Sequence, residues 1–281
     1  MTWYNSNIWI QEKNVQQMVF PDGAVNIELP PLHDYVTTVT AVIKSSDDVM
    51  ALLLVTDALK REGFIISETT LEIPYFPYSR QDRVCNPGEA LSLAVMAGII
   101  NSLGYFSVTV FDPHSDVTPA LLNNADIFQQ EKFVKSVLAS SSEYTHFVSP
   151  DGGAEKKTSH LCKVFEKDII RLSKKRDLKT GDIVGMNLVD HQLIGHKRIL
   201  IVDDICDGGR TFIEASKLLQ KEFGIKPDNI DLYVTHGMFS KGFDVFQGYL
   251  SKIFFTNSLK QEPEDTVFRI HDIEIGDYNV N

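Results

Sequence analysis

Hydrophobic residues along this chain fall into two alternating patterns, one with the period of a strand and one with that of a helix. Val36–Ile43 alternates Thr with Val and Ile, and Leu71–Phe76, Phe106–Phe111, Phe147–Val148, Ile169–Leu172, Ile183–Val189, Leu232–Thr235 and Ile253–Thr256 are further strand-like runs. The purest run is Ile199–Val202, four apolar residues in a row, which reads as a strand buried on both faces. Between the runs lie helical stretches. Ser46-Asp47-Asp48 caps one that continues through Arg61 to a stop at Gly63, and Asn86-Pro87-Gly88-Glu89 opens another that ends at Gly104. Others centre on Phe128–Leu138, on the segment bearing Lys156 and Lys157, and on the stripe Phe212, Ala215, Leu219 and Phe223 before Gly224. Residues 1–30 predict a short hairpin turning at Pro21-Asp22-Gly23, with Ala24–Leu29 as its second strand. Strands alternating with helices predict α/β architecture with parallel sheets covered on both faces.

The polar interruptions of this pattern are concentrated at strand ends, where an open α/β sheet places its active site. After Ile199–Val202 come Asp203 and Asp204, then Asp207-Gly208-Gly209-Arg210-Thr211 and the helix. A strand, a glycine-bearing loop and a helix N-terminus direct free N–H groups and a positive dipole end at an anion. With two aspartates beside it to accept hydroxyl protons, the ligand expected is a sugar phosphate. An ordinary turn with solvated aspartates is the plainer alternative. No Gly-x-x-x-x-Gly-Lys-Ser/Thr occurs, which argues against a P-loop nucleotide site.

Composition narrows the class. The 281 residues are 43% hydrophobic, enough for two domains, expected at 1–132 and 133–281. A net charge of −11 argues against nucleic-acid binding, although basic residues cluster at Arg80 and Arg83, at Lys156 and Lys157, and at Lys174-Lys175-Arg176. No apolar run reaches membrane-spanning length, and Met1–Asn5 has no signal-peptide character. Cys85, Cys162 and Cys206 show neither paired nor metal-site spacing, so a cytoplasmic protein is expected.

The stretch 198–211 resembles the phosphate-ribose signature shared by type I phosphoribosyltransferases and ribose-phosphate pyrophosphokinases. Pro74-Tyr75-Phe76-Pro77-Tyr78-Ser79-Arg80-Gln81-Asp82-Arg83 separates the two, because it resembles the Arg-Gln-Asp segment that contacts ATP in the pyrophosphokinases. Asp112-Pro113-His114-Ser115 resembles that family's Asp-Leu-His-Ala/Ser, and Ser149-Pro150-Asp151-Gly152-Gly153-Ala154 its Ser-Pro-Asp-x-Gly-Gly. Thr235-His236-Gly237-Met238-Phe239-Ser240 matches a further family segment to which no chemistry attaches. The resemblance spans roughly residues 18–260, with the motifs in family order.

It implies two phosphoribosyltransferase-like (type I) domains, each with a mainly parallel sheet flanked by helices, and an active site between them. The implied reaction transfers the diphosphoryl group of ATP to the anomeric hydroxyl of ribose 5-phosphate, giving phosphoribosyl pyrophosphate and AMP. By the same resemblance Phe20, Asp22, Arg80, Gln81, Arg83 and His114 bind ATP, and His114 and Asp151 hold Mg2+. Asp203 and Asp204 take the ribose, and Asp207, Gly208, Gly209, Arg210 and Thr211 take its phosphate. Lys174 and Arg176, on a mobile loop extended by Lys179-Thr180-Gly181, close on the transferring group. Family subunits share an ATP site through the hairpin near Phe20, which implies at least a homodimer. The alternatives are a phosphoribosyltransferase that consumes phosphoribosyl pyrophosphate, which leaves Arg80–Arg83 and His114 idle, and a non-catalytic regulatory homologue.

Several positions depart from the family. Its opening strand and helix and its C-terminal helix have no counterpart in the sequence, which argues against its larger rings. Phe-Ser-Asn-Gly/Gln-Glu becomes Phe20-Pro21-Asp22-Gly23-Ala24, losing a glutamate that reads adenine, and Cys85 replaces an acid. Asp-Thr-x-Gly-Thr becomes Asp207-Gly208-Gly209-Arg210-Thr211, which loses a hydroxyl and gains a guanidinium.

Overall fold

The computed structural model describes residues 2–33, 35–140, 144–176, 183–190, 198–259, 265–270 and 273–279; for residues 175, 176, 183, 184, 190, 265–270 and 273–279 it describes the backbone alone. The chain forms two compact units, Met1–Gln129 and Gln130–Asn281. Among the described residues no helix is long and apolar enough to cross a membrane.

The first unit opens with an antiparallel meander, β1 (Tyr4–Ile10), β2 (Lys13–Val19) and β3 (Val25–Glu28). β4 (Thr38–Ala41) pairs antiparallel with β1 and leads to α1 (Ser46–Arg61). Ser45, not Ser46, is the cap of α1: its hydroxyl accepts from the Asp48 N–H while the Asp48 carboxylate accepts from the Ser45 N–H. β5 (Thr70–Ile73), α2 (Ser92–Leu103), β6 (Ser107–Phe111), α3 (Val117–Leu121) and β7 (Ala125–Phe128) follow, giving the order β3-β2-β1-β4-β5-β6-β7 with β4 to β7 parallel. Ile8, Ile10, Val39, Ala41, Leu71, Ile73, Val108 and Val110 from the strands meet Leu52, Val55, Leu59, Leu93 and Ile100 from the helices in one buried core.

The second unit runs α4 (Gln130–Ser140), β8 (Tyr144–Ser149), α5 (Glu155–Phe165), β9 (Asp168–Arg176), β10 (Ile183–Asp190), β11 (Arg198–Cys206), α6 (Arg210–Phe223), β12 (Ile230–Gly237), β13 (Lys252–Thr256), β14 (Asp265–Ile270) and β15 (Ile273–Asn279). Among the described residues its sheet has the order β10-β9-β8-β11-β12-β13-β15-β14. β9, β8, β11, β12 and β13 are parallel, and antiparallel strands finish both edges. The amino ends of the parallel strands are tied by a buried charge network. Asp231 accepts from Arg198 Nε at 2.7 Å and from an Arg198 terminal nitrogen at 2.8 Å, and also from the Tyr144 hydroxyl and the Lys252 N–H. Burial pushes the Asp231 carboxyl above its ordinary pKa, and Arg198 and Tyr144 pull the other way.

The structure departs from the sequence-based expectations at four further points. The first hairpin is β1/β2, turning at Gln11-Glu12, and the Pro21–Gly23 turn joins β2 to β3. Asn86–Glu89 does not begin a helix: Gly88 sits at φ 89°, and Glu89 folds back onto the Cys85 and Asn86 N–H groups, so α2 starts only at Ser92. β7, β14 and β15 are strands beyond those that the sequence pattern predicts. Lys174-Lys175-Arg176 is strand, not loop, because β9 pairs with β10 as far as Arg176↔Ile183. Lys179-Thr180-Gly181 lies outside the described residues.

Candidate active site

In the second unit the chain passes from β8 to β9 on one side and from β11 to β12 on the other. Strand order therefore reverses between β8 and β11, and the crevice at such a reversal is where open α/β sheets bind ligands. The candidate residues stand there. Asp151 follows β8, and its Oδ1 accepts from the Gly153 N–H at 2.8 Å and the Ala154 N–H at 3.1 Å, while Lys174 Nζ on β9 forms an ion pair with Oδ2. Burial opposes charge on Asp151, but Lys174 and the two N–H groups outweigh it and hold the carboxyl below its ordinary pKa.

Asp203 and Asp204 belong to β11 itself, near its carboxyl end, and their side chains are close enough to interact directly. Lys157 Nζ on α5 lies 3.6 Å from Asp204 Oδ2. Asp203 is pushed well above the ordinary carboxylate range by burial and by the neighbouring charges of Asp204 and Asp151. The site thus assembles three carboxylates against two lysines. Arg176 closes the described part of β9, and its side chain lies outside the described residues.

The loop after β11 has the expected form. Gly209 caps α6 at φ 78°, where a Cβ would come within 2.4 Å of the Phe246 ring, so geometry and packing both require glycine. Arg210 and Thr211 open the helix, whose first N–H groups lack intrahelical acceptors. The segment after β12 braces the loop: the Ser240 hydroxyl donates to Asp207 Oδ1 at 2.6 Å, and the Met238 N–H to the Cys206 carbonyl at 2.8 Å. Lys241 runs its stem against Gly208, whose added Cβ would meet Lys241 Cδ and Cε at 3.4 Å. Sequence reading assigned this segment no chemistry. Its place beside the loop follows from β12 lying next to β11, a pairing that sequence order alone does not reveal.

In the first unit β5 and β6 are parallel neighbours, so the segments that follow them emerge together. Arg83 forks onto the half-buried Asp82, with Nε 2.8 Å from Oδ1 and a terminal nitrogen 3.2 Å from Oδ2. That contact holds the Asp82 carboxyl below its ordinary range despite burial, with Ser115 and His114 close enough to add to the effect. Arg80, Gln81, Arg83 and His114 are exposed. Tyr78 at φ 60° and Asp112 at φ 38° mark sharp bends at the two strand exits. Phe20 and Asp22 lie on the β2–β3 turn, where Phe20 exchanges backbone bonds with Gly23 and Ala24 and the Asp22 carboxylate accepts from the Ala24 N–H.

Among the described residues no group of three or more His, Cys, Asp or Glu stands in metal-holding geometry. Mg2+ sites commonly use one or two carboxylates and complete their shell with water and substrate phosphates. Asp151, with one oxygen fixed by N–H groups and the other turned to a cation, fits such a ligand.

Residues 7–104 match the N-terminal domain of ribose phosphate pyrophosphokinase. A ribose-phosphate pyrophosphokinase from Thermococcus kodakarensis is 32% identical over 226 residues, covering 79% of this chain and 77% of the relative. One from Mycoplasmopsis pulmonis is 27% identical over 254 residues, with 88% and 77% covered, and one from Sulfolobus acidocaldarius is 26% identical over 270 residues, with 90% and 91% covered. The structure of phosphoribosylpyrophosphate synthetase from Mycobacterium smegmatis superposes with a TM-score of 0.73 at 20% identity over 88% of this chain and 81% of that one, which establishes the shared fold. With an extended match of this identity over most of both sequences, the chain belongs to the ribose-phosphate pyrophosphokinase family.

Proposed function

We propose that this protein transfers the diphosphoryl group of ATP to the anomeric hydroxyl of ribose 5-phosphate, releasing AMP and phosphoribosyl pyrophosphate. The observation that carries the reading is the site at the β8/β11 reversal, where the N-terminus of α6, two aspartates and a Lys–Asp pair stand at the carboxyl ends of neighbouring strands. Asp207–Thr211 holds the sugar's phosphate, braced by Ser240, and Asp203 and Asp204 accept from the ribose hydroxyls. Arg80, Gln81 and Arg83 hold the nucleotide phosphates, with Phe20 and Asp22 at its base. Asp151 and His114 would hold Mg2+, which when bound neutralises phosphate charge as the leaving group departs.

In-line displacement at the β-phosphorus needs no covalent intermediate on the protein, so catalysis consists of alignment and charge compensation. Lys174 and Arg176 supply that compensation from β9. The test is purified protein with ATP, ribose 5-phosphate and Mg2+, following AMP and phosphoribosyl pyrophosphate together. Equimolar appearance of both products is the expected result. Consumption of phosphoribosyl pyrophosphate with a free base would show a phosphoribosyltransferase, and the absence of either reaction would indicate a regulatory homologue.

A further inference from the structure

Lys174 and Asp151 come from different motifs, yet in this structure each is the other's charge partner, through Nζ and Oδ2. Their side chains are only 18% and 20% exposed, so water screens the pair poorly. Asp151 Oδ1 is already committed to the Gly153 and Ala154 N–H groups, which leaves Oδ2, the oxygen paired with Lys174, as its ligand atom. A divalent cation and an ammonium cannot share that oxygen without strong repulsion. A second pair stands nearby: Lys157 Nζ lies 3.6 Å from Asp204 Oδ2, and the Lys157 side chain is 31% exposed.

We propose that Lys174 is the resident counter-ion of Asp151 and that a divalent cation displaces it, freeing its ammonium for the transferring diphosphoryl group. Cation arrival and delivery of the catalytic lysine are then one exchange. The inference rests on the reading of Asp151 as a metal carboxylate.

Mn2+ titrated calorimetrically into metal-stripped full-length protein, without nucleotide, reads the exchange directly. Removing a competing charge from a poorly screened site is worth about one factor of ten, so Lys174→Gln should bind Mn2+ about tenfold more tightly than wild type. Lys174→Arg keeps the competitor and should stay near wild type. Lys157→Gln removes an equal charge nearby and should change affinity much less than Lys174→Gln. On wild-type protein, acylation of Lys174 by acetic anhydride, followed by peptide mass spectrometry, should speed up severalfold when Mn2+ is added. Unchanged Mn2+ affinity in Lys174→Gln, an equal gain in Lys157→Gln, or unchanged acylation would each overturn the exchange. Asp151→Asn separates the two levels. If it loses Mn2+ while Lys174→Gln shows no gain, only the exchange fails; if it binds Mn2+ like wild type, the metal reading of Asp151 fails with it.

Discussion

Lys241 is a residue whose importance only the fold discloses. Its stem crosses Gly208 at the mouth of the loop assigned to the sugar phosphate, where a flexible ammonium can serve as a point charge for a dianion. Lys241→Ala should raise KM for ribose 5-phosphate by about tenfold while leaving KM for ATP and the melting temperature nearly unchanged. A variant with unaltered KM would show that the ammonium points elsewhere. A second residue-level consequence concerns the purine. Adenine offers an amino donor where guanine has a carbonyl, and neither Ala24 nor Cys85 can accept from it as an acid would. Asp22 does retain a carboxylate, but Oδ1 already accepts from the Ala24 N–H. One well-made polar contact gives about 1–3 kcal/mol of discrimination, so GTP should support turnover, with Ala24→Glu sharpening the preference for ATP tenfold or more. Comparing kcat/KM for the two nucleotides on both proteins decides it, and rejection of GTP by more than about ten-thousandfold in wild type would mean that another group reads the base.

At the scale of elements, the pairing of β9 with β10 matters most. Placing Lys174 and Arg176 on a paired strand gives them a fixed origin, so their effect should fall on the transition state rather than on binding. Either alanine variant should lose about 100-fold to 1000-fold in kcat with KM changed far less; near-normal turnover in both would remove them from catalysis. The segment between β5 and α2 can be tested through its thiol. Cys85 is exposed there, whereas burial raises the Cys162 pKa to about 11 and pushes that of Cys206 higher still, with Asp203 and Asp207 adding to it. Maleimide at neutral pH should therefore label Cys85 alone in the folded protein, and ATP should slow that labelling; if ATP gives no protection, the Arg80–Arg83 segment does not hold nucleotide. The elements legible in the sequence were those with a strong apolar period or an explicit cap. Ile199–Val202, the α6 stripe ending at Gly224 and the acidic start of α1 are examples. The β1/β2 turn escaped because Gln11 and Glu12 take positive φ without the usual Gly or Asn. β9 extends beyond its apolar run Ile169–Leu172 because Ser173–Arg176 owe their strand conformation to pairing with β10, not to apolar side chains. Asn86–Glu89 carried the hydrogen bonds of a helix cap, and Gly88 used them to close a turn.

At the scale of the second unit, its parallel strands do different work at their two ends. The carboxyl ends hold Asp151, Lys174, Asp203, Asp204 and the 207–211 loop, and the amino ends are knotted by Arg198, Asp231, Tyr144 and the Lys252 N–H. Asp231 is fully buried, so its removal leaves the Arg198 guanidinium without its carboxylate and the Tyr144 hydroxyl without its acceptor. Breaking one side of such a pair costs about 3–5 kcal/mol, and Asp231→Ala should lower the melting temperature by roughly 6–15 °C. Soluble protein that survives should retain wild-type KM for both substrates, and a selective rise in either would show that the network reaches the site. This division gives the sheet two mutational fates. Changes at one rim alter which molecules are turned over by a full complement of protein, whereas changes at the other alter how many molecules survive to act. A population of random variants sorted first by abundance and then by activity per molecule would separate along the strand direction, so the sheet's polarity could be recovered from phenotype alone.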